Sequence, residues 1–206
     1  PPRSTLFPYT TLFRSGGISP ASQTVNHGET TTFTVTPNVG YAATVTGCGG
    51  TLSGTTYTTG PITSNCAVTA AFSQNQYTVT ATAGANGGIS PASQTVNHGE
   101  TTTFTVTPSS GYAATVTGCG GTLSGTTYTT GPITSNCAVT ATFNLNSYTV
   151  TATAGANGGI SPASQTVNHG ETTTFTVTPN VGYTAAVTGC GGTLSGNAYI
   201  TAPIVA

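Results

Sequence analysis

The sequence predicts an all-β protein built of tandem small antiparallel repeats. Three observations carry this: apolar residues alternate with polar ones at a period of two, whole blocks recur after a shift of 71 residues, and only 2% of residues are charged. A period of two is the pattern of a half-buried strand, whereas a surface helix needs one of 3.6. No stretch shows the helical period. Low charge with many Thr, Val, Tyr and Phe fits strands whose solvent faces are polar but uncharged.

The repeat is read directly from self-comparison. Gly16-Gly17-Ile18-Ser19-Pro20 recurs at Gly87–Pro91 and again at Gly158–Pro162. Cys48, Cys119 and Cys190 keep the same spacing, as do His27, His98 and His169, and Glu29, Glu100 and Glu171. Residues 16–86 and 87–157 differ at six positions. The natural unit is 77–147, the complete copy. Residues 16–76 form a first copy lacking its opening strand, and 148–206 a third that stops before its second cysteine. Thr5–Ser15, TLFPYTTLFRS, is the in-frame translation of a short-read sequencing adapter. Residues 1–15 are therefore expected not to be native sequence and are set aside from fold reasoning. Both termini of the native chain are expected to lie outside the sequence.

Within 77–147 the elements follow in order. Tyr77, Val79, Ala81 and Ala83 alternate with Thr78, Thr80 and Thr82 as the opening strand. Ala85–Gly88 reads as a turn, Gln94–Asn97 as a short strand, and His98-Gly99-Glu100 as a turn. Phe104 and Val106 alternate with threonines until Pro108. Tyr112–Thr117 extends, Gly118–Gly125 is loop-like, and Tyr128 sits on a short strand. Cys137, Val139, Ala141 and Phe143 share one face of the last. This gives five or six short strands per unit, as a small sandwich or rolled sheet. The expected core is Tyr77, Val79, Val96, Phe104, Val106, Val116, Ile133, Val139 and Phe143. A unit of that size is marginal on its own, burying roughly 60% of its unfolded surface. Ser73–Gln76 and Asn144–Ser147 read as short polar joints of limited bending, hence an extended array.

Charge excludes several functions. Arg3 and Arg14 are the only cations, so residues 16–206 hold no Lys or Arg. Binding a nucleic acid or an acidic membrane surface needs such cations. Mean hydropathy is +0.06, and no apolar run approaches the ~20 residues of a membrane-spanning helix.

Five cysteines are the first candidate site. Cys48 and Cys66, and Cys119 and Cys137, stand 18 apart within a copy. Paired, each would close the Gly-rich loop onto the last strand, worth on the order of 3 kcal/mol in the chain-entropy model. Such pairing implies an oxidising compartment. The alternative is reduced, buried thiols. Cys190 is left unpaired where the sequence stops. Zinc is disfavoured, with no Cys-x-x-Cys and one His per copy.

His27-Gly28-Glu29 and its copies could be an acid/base pair or half a metal site. Catalysis would need a nucleophile or second carboxylate, and each copy has a single acid, so a polar turn is the better reading. Calcium usually takes several carboxylates and is disfavoured too. The Gly47–Gly50 loop lacks the Lys and helix of a phosphate loop. No catalytic, cofactor or metal residue is therefore assigned. Tyr41, Tyr57 and Tyr77 with their copies are candidates for a sugar-stacking face, with Tyr57, Tyr128 and Tyr199 singled out as ligand contacts, although a Tyr at a core rim buries its ring and keeps its hydroxyl wet. The Thr-x-Thr rows, as at Thr30–Thr36, could face ice but read as solvent faces of strands.

The order of motifs resembles the divergent internalin B-repeat family of bacterial surface and secreted proteins. The matching stretches are YTVTATAG at Tyr77–Gly84, GGISP at Gly87–Pro91, Val96–Pro108, Gly111-Tyr112 and the closing Cys137–Phe143 strand. Typical members carry a Trp after the Gly-Tyr; this chain has none and carries the cysteine pair instead. The resemblance implies extracellular, repeated, non-catalytic modules and supplies no active-site residues.

Three functions follow as expectations. The first is a non-catalytic spacer or stalk of a surface or secreted protein. The second is an adhesin-like module that binds carbohydrate or a host surface, with glycans or other surface proteins as partners. The third is an accessory region of a secreted hydrolase whose catalytic domain lies elsewhere.

Overall fold

A computed structural model describes residues 15–205. The reading of residues 1–15 as adapter sequence lies outside the described residues, apart from Ser15. Among those described, all regular structure is strand.

The first copy contributes β1 (Gly16–Ser19), β2 (Thr32–Pro37), β3 (Tyr41–Thr46), β4 (Thr51–Ser53), β5 (Thr56–Thr58) and β6 (Thr69–Gln74). The second contributes β7 (Gln76–Ala83), β8 (Gly87–Ser90), β9 (Ser93–Asn97), β10 (Thr103–Pro108), β11 (Tyr112–Thr117), β12 (Thr122–Ser124), β13 (Thr127–Thr129) and β14 (Cys137–Leu145). The third contributes β15 (Ser147–Thr151), β16 (Gly158–Ser161), β17 (Ser164–Asn168), β18 (Thr174–Pro179), β19 (Thr193–Ser195) and β20 (Ala198–Ile200).

The complete copy thus has eight strands rather than five or six. One addition is β8, where a turn was expected to run into Gly88. Its partner β10 supplies the ladder, with Ile89 opposite Val106. Glycine is tolerated there for lack of room: a Cβ on Gly87 would lie 2.4 Å from the Phe143 ring. The other is β12, inside the expected loop. Ser124 pairs with Thr127, and Gly125 at φ +58° takes the left-handed position of a two-residue hairpin turn.

Contacts divide the chain into two compact units that cut across the repeats. The first holds residues up to 79, with 94–102 and 131–137. Its larger sheet runs β1-β2-β5-β4, and β3 pairs with β6 beside it. Phe33 lies opposite Tyr57, and Tyr57 opposite Leu52. The two sheets face each other, for the Phe72 ring on β6 sits against Gly16 on β1. Val35, Tyr57, Val79, Val96 and Ile133 are buried in this unit.

The second unit holds 80–93, 103–130 and 138 onward. It contains the sheets β12-β13-β10-β8 and β16-β18-β20-β19, with the pairs β11·β14 and β15·β17. Phe104, Val106, Tyr128, Val139 and Ala141 are buried here. Val150, Val167, Phe175 and Ile204 form a further cluster in the third copy. Along β10 the alternation is complete, with Phe104 and Val106 inward and Thr103, Thr105 and Thr107 exposed.

Seven of the nine expected core residues are buried; Tyr77 and Val116 are half-buried instead. Tyr128, assigned to a ligand face, takes their place in the core.

Candidate functional site

The Gly-rich loop is shaped by its backbone. Cys48, Cys119 and Cys190 all adopt φ near +47° (47°, 48° and 47°), each between two positive-φ glycines. Gly50 N–H donates to Gly47 O at 3.3 Å, closing the turn. A Cβ on Gly47 would lie 2.0 Å from the Ala67 carbonyl oxygen, so only glycine lets the loop approach that closely. Cys48 and Cys66 are joined in a disulfide with Cα atoms 5.6 Å apart. Cys119 and Cys137 are also disulfide-bonded. Cys190 is free and exposed.

The third copy shows what shapes the loop without a bridge. Gly192 N–H still donates to Gly189 O at 3.3 Å. The Tyr199 hydroxyl donates to Gly189 O and accepts from Gly192 N–H at 3.1 Å. Tyr128 does the same with Gly118 O and Gly121 N–H, and Tyr57 donates to Gly47 O. Tyr57, Tyr128 and Tyr199 are therefore core rings whose hydroxyls fasten the loop. They offer no stacking face, because all three are at most 4% exposed.

The His-Gly-Glu triplets are turns. Glu29 N–H donates to Asn26 O at 3.1 Å, and Glu100 N–H to Asn97 O at the same distance. Gly28, Gly99 and Gly170 occupy the third position at φ +82° to +85°, as a type II turn requires. The carboxylates of Glu29 and Glu100 accept from the Asn26 and Asn97 amides at 3.1 and 3.2 Å. Glutamate and histidine thus serve different ends: the acid closes its own turn, while the imidazole turns to the neighbouring repeat. No group of three or more His, Cys, Asp or Glu side chains able to hold a metal ion occurs among the described residues.

The imidazoles lead to the junctions between repeats. Between β6 and β7 a single residue, Asn75, is left over; between β14 and β15 it is Asn146. Asn75 N–H donates to Gly40 O, and its own carbonyl accepts from His98 N–H, both at 2.8 Å. Asn146 makes the same two bonds, to Gly111 O and from His169 N–H, again at 2.8 Å. One asparagine backbone so ties a turn of one repeat to the His-Gly-Glu turn of the next. The histidine ring then closes on the glycine of the preceding copy. A Cβ on Gly40 would lie 2.2 Å from His98 Cδ2, and one on Gly111 as close to His169 Cδ2. Tyr77 and Tyr148 tilt against the same rings, with centroids 5.9 and 6.1 Å apart. Nδ1 of His98 and of His169 is buried without a hydrogen-bond partner.

The sequence placed these residues in polar joints and turns but did not bring them together. One signal was available. Of the six differences between the first two copies, five fall at 38, 39, 73, 74 and 76, around the junction, while Asn75 and Asn146 stay the same.

A family model described as the divergent InlB B-repeat domain matches residues 10–76, 77–147 and 148–199. No curated protein and no solved structure matches the chain. Three consecutive matches span most of the sequence, and the chain belongs to the divergent InlB B-repeat family.

Proposed function

We propose that the chain is a non-catalytic, extracellular repeat region that serves as a spacer or stalk of a bacterial surface or secreted protein, with residues 77–147 as its unit of extension. The observation that carries this reading is the junction. The same asparagine, glycine and histidine recur at both, with matching 2.8 Å bonds, which is what a part that must set the relation between successive copies needs. The disulfides fit an oxidising compartment outside the cell. Family membership fits a surface repeat. The adhesin alternative rested on tyrosine faces or the Gly-rich loop, and of its tyrosines Tyr57, Tyr128 and Tyr199 are buried.

The test is to build chains of two, three and four copies and measure their maximum dimension by small-angle X-ray scattering. A spacer adds a constant increment per copy, and Gly→Ala at the junctions broadens the distribution. Dimensions that stop growing with copy number, or a glycan ligand bound by folded repeats, would overturn the reading.

A further inference from the structure

The edges of the sheets are not alike. Among the described residues, β3 has β6 as its one hydrogen-bonded neighbour, and β11 has β14 as its own. Both strands read Tyr-Ala-Ala-Thr-Val-Thr. β3 remains an edge although residues 77–147 follow it in full, and β11 remains one although the first copy precedes it. The open flank therefore recurs in both copies. It does not depend on the opening strand of a copy, for β7 lies on the far side of β14 from β11.

The ladder fixes which backbone groups face outward. Gly111 O accepts from Asn146 N–H, and Gly40 O from Asn75 N–H, both at 2.8 Å. Bonding alternates along an antiparallel pair. Ala113, Thr115 and Thr117 therefore exchange bonds with β14, while the N–H and C=O of Ala114 and Val116 point to the open flank. The Thr142 hydroxyl donates to Thr115 O at 3.3 Å, in keeping with this parity. Exposed edges are usually blunted by shortness, charge, proline or a bulge. β12 has three residues, and β8 has four and runs into Pro91. β11 has six, in unbroken register, with neither charge nor proline. The apolar layer is also unfinished there. Tyr112, Ala114 and Val116 are half-buried, whereas Val96 on β9, at the other edge of the same sheet, is buried. Val116 falls short of the core because no strand lies beyond its own.

We propose that this flank is a pairing surface for a second copy of this chain, whose own β11 or β3 adds to it as an antiparallel strand. The sequence is self-complementary about Ala114. That register sets Ala114 opposite the partner's Ala114, Tyr112 opposite the partner's Val116 and Ala113 opposite the partner's Thr115. Half-buried residues then meet half-buried ones, and exposed residues meet exposed ones. A slip of one residue would oppose Tyr112 to the partner's Thr117 and lose this match. Ala114 N–H donates to the partner's Ala114 O, and its own carbonyl accepts in return. Val116 N–H donates to the partner's Tyr112 O. Tyr112 N–H is already used within its own turn, on Ser109 O at 3.0 Å. The contact is isologous, and main-chain bonds supply its affinity, as in other strand additions. Residues 16–206 hold no Lys or Arg, and the three acids lie in the His-Gly-Glu turns, so no like charges oppose each other across the pair. This inference goes beyond the spacer reading, since it concerns association between chains and not the succession of copies within one.

The experiment measures self-association of the full chain by sedimentation equilibrium, with amide exchange followed at low and high concentration. Association is expected to grow with concentration and to protect Ala114 and Val116, with Ala43 and Val45, while Thr115 is protected throughout. Ala43→Pro with Ala114→Pro removes outward N–H groups but no bond to β6 or β14, a change that an edge strand tolerates. It is expected to weaken association at least about tenfold, the loss of one hydrogen bond or more. A second pair of variants leaves the backbone alone and uses exposed positions. Ala42→Lys, Thr44→Lys, Ala113→Lys and Thr115→Lys together set like charges opposite each other, and Glu at the same four positions does so with the other sign. Each variant alone is expected to be monomeric, and an equal mixture of the two to associate. Absence of concentration-dependent protection at Ala114 and Val116 would overturn the proposal. So would association undiminished in the proline or lysine variant, or a mixture that stays monomeric.

Discussion

The two junctions share one backbone and differ in their side chains. At the first, Gln74 Nε2 donates to His98 O at 3.0 Å and Gln76 Nε2 to Asn97 Oδ1 at 3.1 Å. At the second these positions are Leu145 and Ser147. Leu145 has no donor to give and is 41% exposed. Yet the asparagine bonds keep the same length at both. The backbone bridge and the histidine-on-glycine contact thus define the junction, and the flanking side chains adjust its strength. Copies so similar can afford variation here because it falls on residues the bridge does not use.

The largest effect should come from the contact both junctions share. Gly111→Ala meets the His169 ring and holds φ +81°, so it is expected to cost about 2–4 kcal/mol from overpacking and left-handed strain together. Gly40→Ala should match it at the first junction. Local opening free energies from amide exchange at His169 and His98 measure both. A cost under about 0.5 kcal/mol, the range of an inconsequential surface change, would mean that the ring simply swings away and is not part of the lock.

Removing the ring should do less. His98→Ala and His169→Ala lose packing but also remove a buried Nδ1 without a partner, and the two changes oppose each other, leaving about 1 kcal/mol. The loss should be greater for His169, whose junction lacks the two glutamine bonds. Equal exchange rates at the two sites would show that the glutamines contribute nothing.

The smallest effect sharpens the same contrast. Leu145→Gln supplies the missing donor to His169 O and should slow exchange at the second junction by about 0.5–1 kcal/mol. Gln74→Leu should do the reverse at the first. If Leu145→Gln accelerates exchange, apolar contact of Leu145 outweighs the bond.

Much of the fold could be read in advance from local chemistry. Alternation along Thr103–Thr107 assigns inward and outward residues without reference to any partner. Cysteines 18 apart suggest a bridge, and the structure joins Cys48 to Cys66. Glycine-rich segments misled for a physical reason. Gly87–Ser90 and Thr122–Ser124 are strands because β10 and β13 offer ladders, which propensity does not register. Tyr128 was ambiguous because a tyrosine suits a rim or a core equally; the carbonyl of Gly118, ten residues away, draws its hydroxyl inward. The junction stayed hidden because its members, Gly40, Asn75 and His98, are distant in sequence and join mostly through backbone groups that every residue possesses.

By itself the sequence determined the period, the strand alternation and the uncharged faces, since these rest on residue type and spacing alone. Only the tertiary structure decided which side chains are covered and which copies touch. Tyr77 and Tyr128 each stand between two polar residues on a strand, yet one is half-buried and the other buried. Burial depends on the strand alongside, and the strand alongside is set by long-range pairing rather than by the residues it covers.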